Sequence, residues 1–508
     1  MGEIDHSIAH VVADGLCHRC GACEPACPVP DCITLGGDLY PRVNAATCIN
    51  CSLCERVCSG DRLALDELLR DRGGPPPHPP GGGYRDAWVI YVTDAVQRMR
   101  SASGGFVTQL LVDLVERGEI DGAIVAGMNP QSPWEAIPAV ARTPEQIRAG
   151  SGSKYATIPM VSIVRQVLHR RDGHARDRYA FVGVSCHLHS LAMLMRRLPS
   201  LRRQIVLTIG LYCGASFDPE ATVDLIRAAG VELGEVDTFQ NRGGQWPGIM
   251  RVRKRDGTYV ALHPSNVRDG AINYLKSLYT QPRCQLCYDF SNELADLAAG
   301  DPWIRDAAGR YRHVGGHTLV LARTERGQRT VESIRADPRY VIEAVDEEYV
   351  QGAVERHAAA KRRAVGVALA SRRAKGRPVP AYDRDVPAVG GRARLSERLF
   401  ALTYLLGRNP RLRYLVLKLL VSAPGWPVLN LRLLCKFGWK GSRYIRSLTP
   451  PADSGAWAMP LAGDPHHPER QISAETRAWL DRWLAWRQPG PPRPAGAGRG
   501  GARSPADS

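Results

Sequence analysis

Eight of the nine cysteines that precede residue 60 fall into two copies of one spacing. Cys17, Cys20, Cys23 and Cys27 form C-x2-C-x2-C-x3-C followed by Pro28; Cys48, Cys51, Cys54 and Cys58 repeat it with Ser59 in the proline position. Each two-residue step brings the next thiolate round to another iron of one cubane, the grip used for 4Fe-4S clusters. In two-cluster proteins of this kind the fourth cysteine of each run serves the other cluster. The expected ligand sets are therefore Cys17, Cys20, Cys23 and Cys58 for one cluster and Cys48, Cys51, Cys54 and Cys27 for the other. Structural zinc also takes four thiolates, but it would use half of these residues and does not call for the spacing twice. Cys32 stands outside both runs and reads as a small buried hydrophobe.

Four further cysteines lie downstream within the α/β region: Cys186 in VGVSCHLHS, Cys213 in GLYCGAS, and Cys284 with Cys287 in RCQLC. Cys186 and Cys213 each follow a strand-like run, where a parallel sheet presents its loops. Either of them alone would read as a buried free thiol. Together with the C-x2-C pair they make four, the number that a cluster or a zinc ion requires.

The elements that must position these groups come in distinct blocks. Residues 1–70 are rich in cysteine and turn residues and close on a short helix in DRLALDELLRDR, a pattern expected for a bacterial-type two-cluster ferredoxin domain. Residues 71–84 hold GGPPPHPPGGG, a linker that forms neither helix nor strand because proline lacks the donor and glycine is costly to order. From Trp88, WVIYVTDA reads as a strand, SASGGFVTQLLVDLVERG as a glycine-opened amphipathic helix and DGAIVAGM as a second strand, a β-loop-α-β unit. YAFVGV and QIVLTIGLYC add strands followed by helical segments, so the core over 85–175 and 176–350 is expected to be mixed α/β.

The chain has 508 residues and a formal net charge of +16. The charge is uneven: residues 351–508 carry 28 Lys and Arg against 10 Asp and Glu, so the preceding 350 residues are close to neutral. Residues 351–487 are expected as a basic helical accessory region, with amphipathic helices over 395–447, and residues 488–508 as a disordered tail too poor in apolar side chains to offset chain ordering. Apolar clusters such as LRYLVLKLL amid Arg and Lys favour a peripheral contact with an anionic membrane surface over nucleic acid, which needs no apolar face. A solvated helical subdomain is the plainer alternative. MGEIDHSIAH lacks a positive stretch leading into an apolar run, and cysteines at metal-ligand spacing suit a reducing compartment. The expected location is the cytoplasm, at most peripheral to the inner face of the membrane.

Residues 85–350 resemble the family of coenzyme F420 hydrogenase/dehydrogenase beta subunits, an iron-sulfur flavoprotein family that also includes plant hydroxymethyl chlorophyll a reductase. The resemblance rests on SASGGFVTQLLVDLVERGEIDGAIV, AGSGSKYA, FVGVSCHLHSLAML, LYCG, NRGGQWPGIM and RCQLCYDFSNELADLAAGDPW, six blocks in the family's order. Members usually have proline before the cysteine matching Cys186 and often glutamine after it, where this chain has Ser185 and His187. The resemblance implies that Cys186, Cys213, Cys284 and Cys287 hold a third 4Fe-4S cluster beside a bound FAD.

The residues of the remaining blocks suit that implication. Ser101, Ser103, Gly104 and Gly105 open a helix, where free N–H groups and the helix dipole favour a phosphate, although an ordinary capped helix looks the same. In the loop Ser151, Gly152, Ser153, Lys154 and Tyr155, Lys154 is the one cation, suited to a reduced flavin ring or a pyrophosphate and so the candidate catalytic residue. Arg242, Gly243, Gly244, Trp246 and Gly248 offer a guanidinium and an aromatic ring for stacking or for clamping an acidic substrate. Asp296, Gly300, Asp301 and Trp303 follow RCQLC closely and are expected to shape the cluster pocket or cap a turn.

The function implied is an oxidoreductase passing electrons between 4Fe-4S clusters and FAD, and on to coenzyme F420 or a similar acceptor. Two alternatives share these features: a ferredoxin-dependent reductase of another unsaturated substrate, and a non-catalytic electron-transfer subunit, docked to a redox partner protein in a larger complex.

Overall fold

Alternating apolar runs from Trp88 to Ala344 assemble, in this computed structural model, into an eight-stranded mixed sheet. The structure describes residues 8–73, 81–168, 176–262 except Gln245, 272–306, 311–387 and, with gaps, 390–421. The strands are β1 (Asp86–Val92), β2 (Gly122–Met128), β3 (Ala136–Ala141), β4 (Tyr179–Gly183), β5 (Ile205–Leu211), β6 (Leu297–Gly300), β7 (Thr318–Ala322) and β8 (Tyr340–Ala344). Their order across the sheet is β8-β1-β7-β6-β5-β4-β2-β3.

The four central strands β2, β4, β5 and β6 run parallel, and the antiparallel pairs lie toward the edges. Parallel strands are covered on both faces, which is why β4 is buried at every position; β7, antiparallel to both of its neighbours, is buried throughout as well. One core cluster packs Trp88, Ile90, Phe106, Leu110, Ile209 and Val320 between the sheet and the helix Phe106–Glu116.

The expected β-loop-α-β unit is modified in two ways. β1 and β2 are not neighbours, because β7, β6, β5 and β4 stand between them. A short helix, Ala95–Arg100, capped by the Asp94 carboxylate, intervenes before the long one, so Ser101 and Ser103 lie in a loop and the long helix begins at Phe106.

The N-terminal module is built from short pieces: helices Ile8–Ala13, Cys23–Ala26, Leu53–Arg56 and Leu65–Asp71, and an antiparallel pair Ile33–Leu35 with Pro41–Val43. It lies against the core. Val161 N donates to Cys20 O at 2.9 Å, Gln281 Nε2 to His18 O at 2.8 Å, and the buried Arg283 to Gly60 O at 3.2 Å and Ser59 O at 3.3 Å. Residues 74–80 of the Pro/Gly linker lie outside the described residues. Its end is buried, with Arg323 donating to the Gly81 and Gly83 carbonyls and Ser291 to Gly81.

Residues 351–387 run across both modules. A π-helical stretch, Gln351–Glu355, leads into the helix Arg356–Arg373, and Ala381–Tyr382 then pairs in parallel with Arg62–Leu63 of the N-terminal module. Asp383 accepts from the N–H groups of Leu65, Asp66 and Glu67 at 2.9, 2.8 and 3.2 Å, capping a helix more than three hundred residues upstream. Asp383→Ala is expected to cost about 1 kcal/mol, as loss of a helix cap does, read as a lower urea midpoint with an unchanged denaturant slope.

Of the amphipathic helices expected over 395–447, the longest described part is Pro410–Val421, which buries Leu417 and Leu420 against Leu225, Tyr274 and Leu278. The expected disordered tail lies outside the described residues. Among the described residues no helix is long and apolar enough to cross a membrane.

Candidate electron-transfer site

Both cysteine runs bend their chain in the same way. Arg19 and Asn50 occupy the position two residues after the first cysteine of each run, Gly21 and Ser52 the position four after it, and all four have positive φ. Left-handed residues at matched places turn successive thiols inward. At Gly21 the close approach of the core matters too, since a Cβ there would lie 2.8 Å from that of Ser162.

Two cavities result. One is lined by Cys17, Cys20, Cys23 and Cys58 with Ile8, His18 and Pro41. The other is lined by Cys27, Cys48, Cys51 and Cys54 with Ile33, Val43 and Ile49. Each therefore takes three thiols from one run and the fourth from the other, and Cys32 is buried in the wall of the second cavity. Among the described residues no three such side chains close round a single-ion site. Burial pushes the Cys17 thiol up to about 12 and raises those of Cys23 and Cys58 as well.

The downstream four also come together. Cys186 sits in the first turn of the helix Ser185–Arg197 after β4, Cys213 follows β5, and Cys284 and Cys287 lie on the tight helical turn Pro282–Leu286 and just beyond it. Because β4 and β5 are adjacent parallel strands, their carboxyl ends open on one edge, where such sheets present sites. Burial raises the Cys186 thiol, and the neighbouring Cys20, Cys284, Cys213 and Cys287 add to it. Ser216 N reaches Cys284 Sγ at 3.4 Å, and Cys213 N is tied to Phe290 O at 2.9 Å.

The downstream set adjoins the first N-terminal cavity. Ser190, one turn beyond Cys186 on the same helix, accepts from Cys20 Sγ at 3.4 Å and meets Ser59 Oγ at 2.7 Å. The other side leads to the Lys154 loop: Phe217, next to Ser216, exchanges backbone hydrogen bonds with Tyr155 (2.8 Å) and Thr157 (2.7 Å).

The small-residue loops gather along the same edge. Gly104 lies against β1, where a Cβ would run into the Ile90 carbonyl; its N–H donates to Thr318 Oγ1 at 3.0 Å, and Ser103 Oγ to His317 O at 2.5 Å. Ser101 Oγ caps the preceding helix on Gln97 O at 2.9 Å, and Gly105, with φ 81, starts the next. Lys154 donates to three carbonyls, Gly150 at 2.5 Å, Ser151 at 2.8 Å and Gly152 at 3.2 Å, and burial brings its ammonium down to about 8. Burial raises the Tyr155 hydroxyl, and the nearby Arg242 and Ser153 act against that rise.

Arg242, at the end of Val236–Gly243, forms a two-pronged ion pair with Asp301 (2.7 and 3.2 Å), and Trp246 Nε1 donates to the same carboxylate at 2.6 Å. Burial opposes the Arg242 charge, but Asp301 and Tyr155 outweigh it and hold the guanidinium above its usual value. Trp246 stacks on Trp303 at 4.9 Å, with Tyr311 edge-on at 5.1 Å. Asp301 and Trp303 thus belong to this aromatic box rather than to the cysteines. Asp296 ties Arg72 (3.1 Å), Thr208 (2.7 Å) and Thr324 (2.8 Å) together, while Gly300 makes room for Tyr212.

Sequence reasoning passed over Lys361. From the helix Arg356–Arg373 its Nζ donates to Cys213 O at 2.9 Å and Asp289 O at 2.7 Å and reaches Cys287 Sγ at 3.7 Å. A lysine in an Ala- and Arg-rich helix carries no local signal of such a place.

A mixed α/β core thus carries a cysteine-lined module on the edge where its parallel strands end. Comparison with known proteins names the family. Two family models, described as the N-term and the C terminus of coenzyme F420 hydrogenase/dehydrogenase beta subunits, match residues 87–165 and 176–348. The chain belongs to this family of coenzyme F420 hydrogenase/dehydrogenase beta subunits. It is 26% identical over 359 residues to one of the F(420)H(2) dehydrogenase subunits of Methanosarcina mazei, covering 66% of this chain and 89% of that protein. It is 27% identical over 263 residues to a coenzyme F420 hydrogenase beta subunit, that of Methanosarcina barkeri, covering 50% and 80%. A chain of the F420-reducing [NiFe] hydrogenase complex from Methanosarcina barkeri superposes with a TM-score of 0.47 at 22% identity, over 60% of this chain and 98% of that one.

Proposed function

We propose that this chain is the flavin- and iron-sulfur-dependent component of an oxidoreductase, passing electrons between three 4Fe-4S clusters and FAD, and on to coenzyme F420 or a similar acceptor. The carrying observation is continuity: two four-thiol cavities, a third set of four thiols adjoining the first through Cys20 and Ser190, and a short backbone step from Cys284 through Ser216 and Phe217 to Tyr155. Relatives named as F420 dehydrogenase and hydrogenase subunits support the acceptor.

The residues fit these groups. Thiols held protonated by burial need the positive charge of iron to become thiolate ligands. Tyr212 Oη, next in sequence to Cys213, and Arg283 Nη1, next to Cys284, are buried without a hydrogen-bond partner among the described residues. When bound, clusters supply one-electron steps and a flavin couples them to two-electron hydride chemistry. Lys154 then offers a desolvated cation to an anionic part of the flavin, and Arg242, fixed by Asp301, orients Tyr155 and the Trp246 ring.

The Lys154 charge gives this reading a pH dependence. Its pKa falls from 10.5 in the ordinary state to about 8 in the folded chain, so folding gains stability as pH rises from 8 toward 10.5. An anion held by the ammonium weakens over the same rise. FAD affinity, followed by fluorescence quenching, is expected to fall above pH 8 in the native chain and to be lower and flat in Lys154→Met.

The overall test is the iron, sulfide and flavin content of anaerobically prepared protein, followed by F420 absorbance. About twelve irons, twelve sulfides and one FAD are expected from three cubanes and one flavin. About eight irons without flavin would overturn the reading. Full cofactor content with turnover on reduced ferredoxin but none on F420 would favour a reductase of another unsaturated substrate. Because relatives are named as subunits, co-purification with a larger oxidoreductase complex is the parallel measurement.

A further inference from the structure

We propose that Lys361 tunes the third cluster, its ammonium raising the reduction potential of the group held by Cys186, Cys213, Cys284 and Cys287. The inference rests on the proposed function above, and Lys361 lies beyond the residues matched by the family models.

The placement is specific. Lys361 is partly buried, and its Nζ reaches the Cys213 carbonyl, the Asp289 carbonyl and Cys287 Sγ at 2.9, 2.7 and 3.7 Å. None of these three contacts is to a carboxylate; the Asp289 carboxylate is near enough to favour the ammonium but is itself hydrogen-bonded to His189 at 2.8 Å. Two carbonyls fix the ammonium, and the third contact is the sulfur of a proposed ligand.

The surrounding chain holds it there. Arg362, the next residue, pairs with the buried Glu293 at 3.0 Å, and Arg384 grips the same carboxylate at 2.9 Å. Tyr382 Oη donates to Leu286 O at 2.5 Å, next to Cys287, and the strand Ala381–Tyr382 is itself paired to the N-terminal module. The helix carrying Lys361 is thus tied to Glu293, six residues past Cys287, and the strand that follows the helix is tied to the turn itself at Leu286.

The physical consequence follows from charge. On reduction a cluster gains one electron and one negative charge, with no bond formed or broken; the electron comes from a neighbouring cluster and leaves toward the flavin. A fixed positive charge and an N–H···S contact both stabilise the reduced form more than the oxidised one, which raises the potential. A higher potential at the third site draws electrons from the N-terminal clusters.

The test is potentiometric titration of the full-length, reconstituted chain with dithionite, followed by EPR, at one fixed pH in the native protein, Lys361→Gln and Lys361→Arg. Glutamine keeps donors for the two carbonyls and removes the charge; arginine keeps the charge. One of three midpoints is expected to move negative in Lys361→Gln with iron content unchanged, and to stay near the native value in Lys361→Arg. Unchanged midpoints in Lys361→Gln at full iron content would overturn the inference, as would equal shifts in both variants. If Lys361→Gln loses iron, Lys361→Met, which keeps the length of the stem and removes the charge, takes its place: one midpoint moved negative at full iron content supports the tuning role and unchanged midpoints refute it. A native protein with about eight irons would fail the underlying function instead.

Discussion

On the proposed function, Cys284→Ala is expected to remove about four of about twelve irons and to abolish electron flow from the proposed N-terminal clusters to the proposed flavin, while leaving about eight irons in place. Cys284 stands at the junction of the path. Its sulfur accepts from Ser216 N at 3.4 Å, and Ser216 adjoins Phe217, which is paired to Tyr155 and Thr157. The two N-terminal cavities are lined by other cysteines and do not include it. The decisive comparison is stopped-flow reduction of FAD by dithionite-reduced ferredoxin against direct reduction of FAD by a small hydride donor. The first should disappear and the second persist. Retention of all irons, or unchanged flavin reduction by ferredoxin, would remove Cys284 from the path.

Asp301→Ala is expected to destabilise the chain by about 3–5 kcal/mol, the cost of leaving a buried charge without its partner. The carboxylate accepts two bonds from Arg242 and one from Trp246; Arg242 is buried and Asp301 partly so. Its loss frees Arg242 and the Trp246 ring, and with them the stack of Trp246 on Trp303. Urea unfolding reports the stability, and flavin content reports the site. Asp301→Asn, which keeps an acceptor, should lose less of both. A variant as stable as the native chain would show that Arg242 is solvated rather than dependent on Asp301.

Legibility in the sequence followed the range of the interactions. The eight N-terminal cysteines were readable because their spacing is local: two runs of eleven residues each dictate how thiols wrap a point, and matching positive φ at Arg19, Gly21, Asn50 and Ser52 is the backbone expression of that repeat. The strands β1, β2, β4 and β5 were readable from apolar runs bounded by turn residues. Their order was not, because which strands pair is settled by how the helices cover both faces. The C-x2-C of Cys284 and Cys287 was visible, but its meeting with Cys186 and Cys213 depends on β4 and β5 lying side by side.

Other features had no local signature. Lys361 reads as a solvated lysine until the helix that carries it is laid across Cys287, and Asp383 as an exposed carboxylate until it meets the start of Leu65–Asp71. Trp303 and Asp301 follow the C-x2-C pair closely and on sequence alone belong with it; β6 carries them past the cysteines to Arg242 and Trp246. The SxSGG loop suggested free N–H groups at a helix start, yet the Gly104 N–H is taken by Thr318.

The sequence by itself determined the N-terminal thiol sets, the mixed α/β class and the family, because each depends on spacing, periodicity or blocks of adjacent residues. The tertiary structure alone decided which thiols adjoin which, that residues 351–387 reach both modules, and that Lys361 and Asp301 face the groups they do. Those outcomes depend on long-range packing, where one carboxylate or ammonium chooses its partner by burial and geometry rather than by its neighbours in the chain.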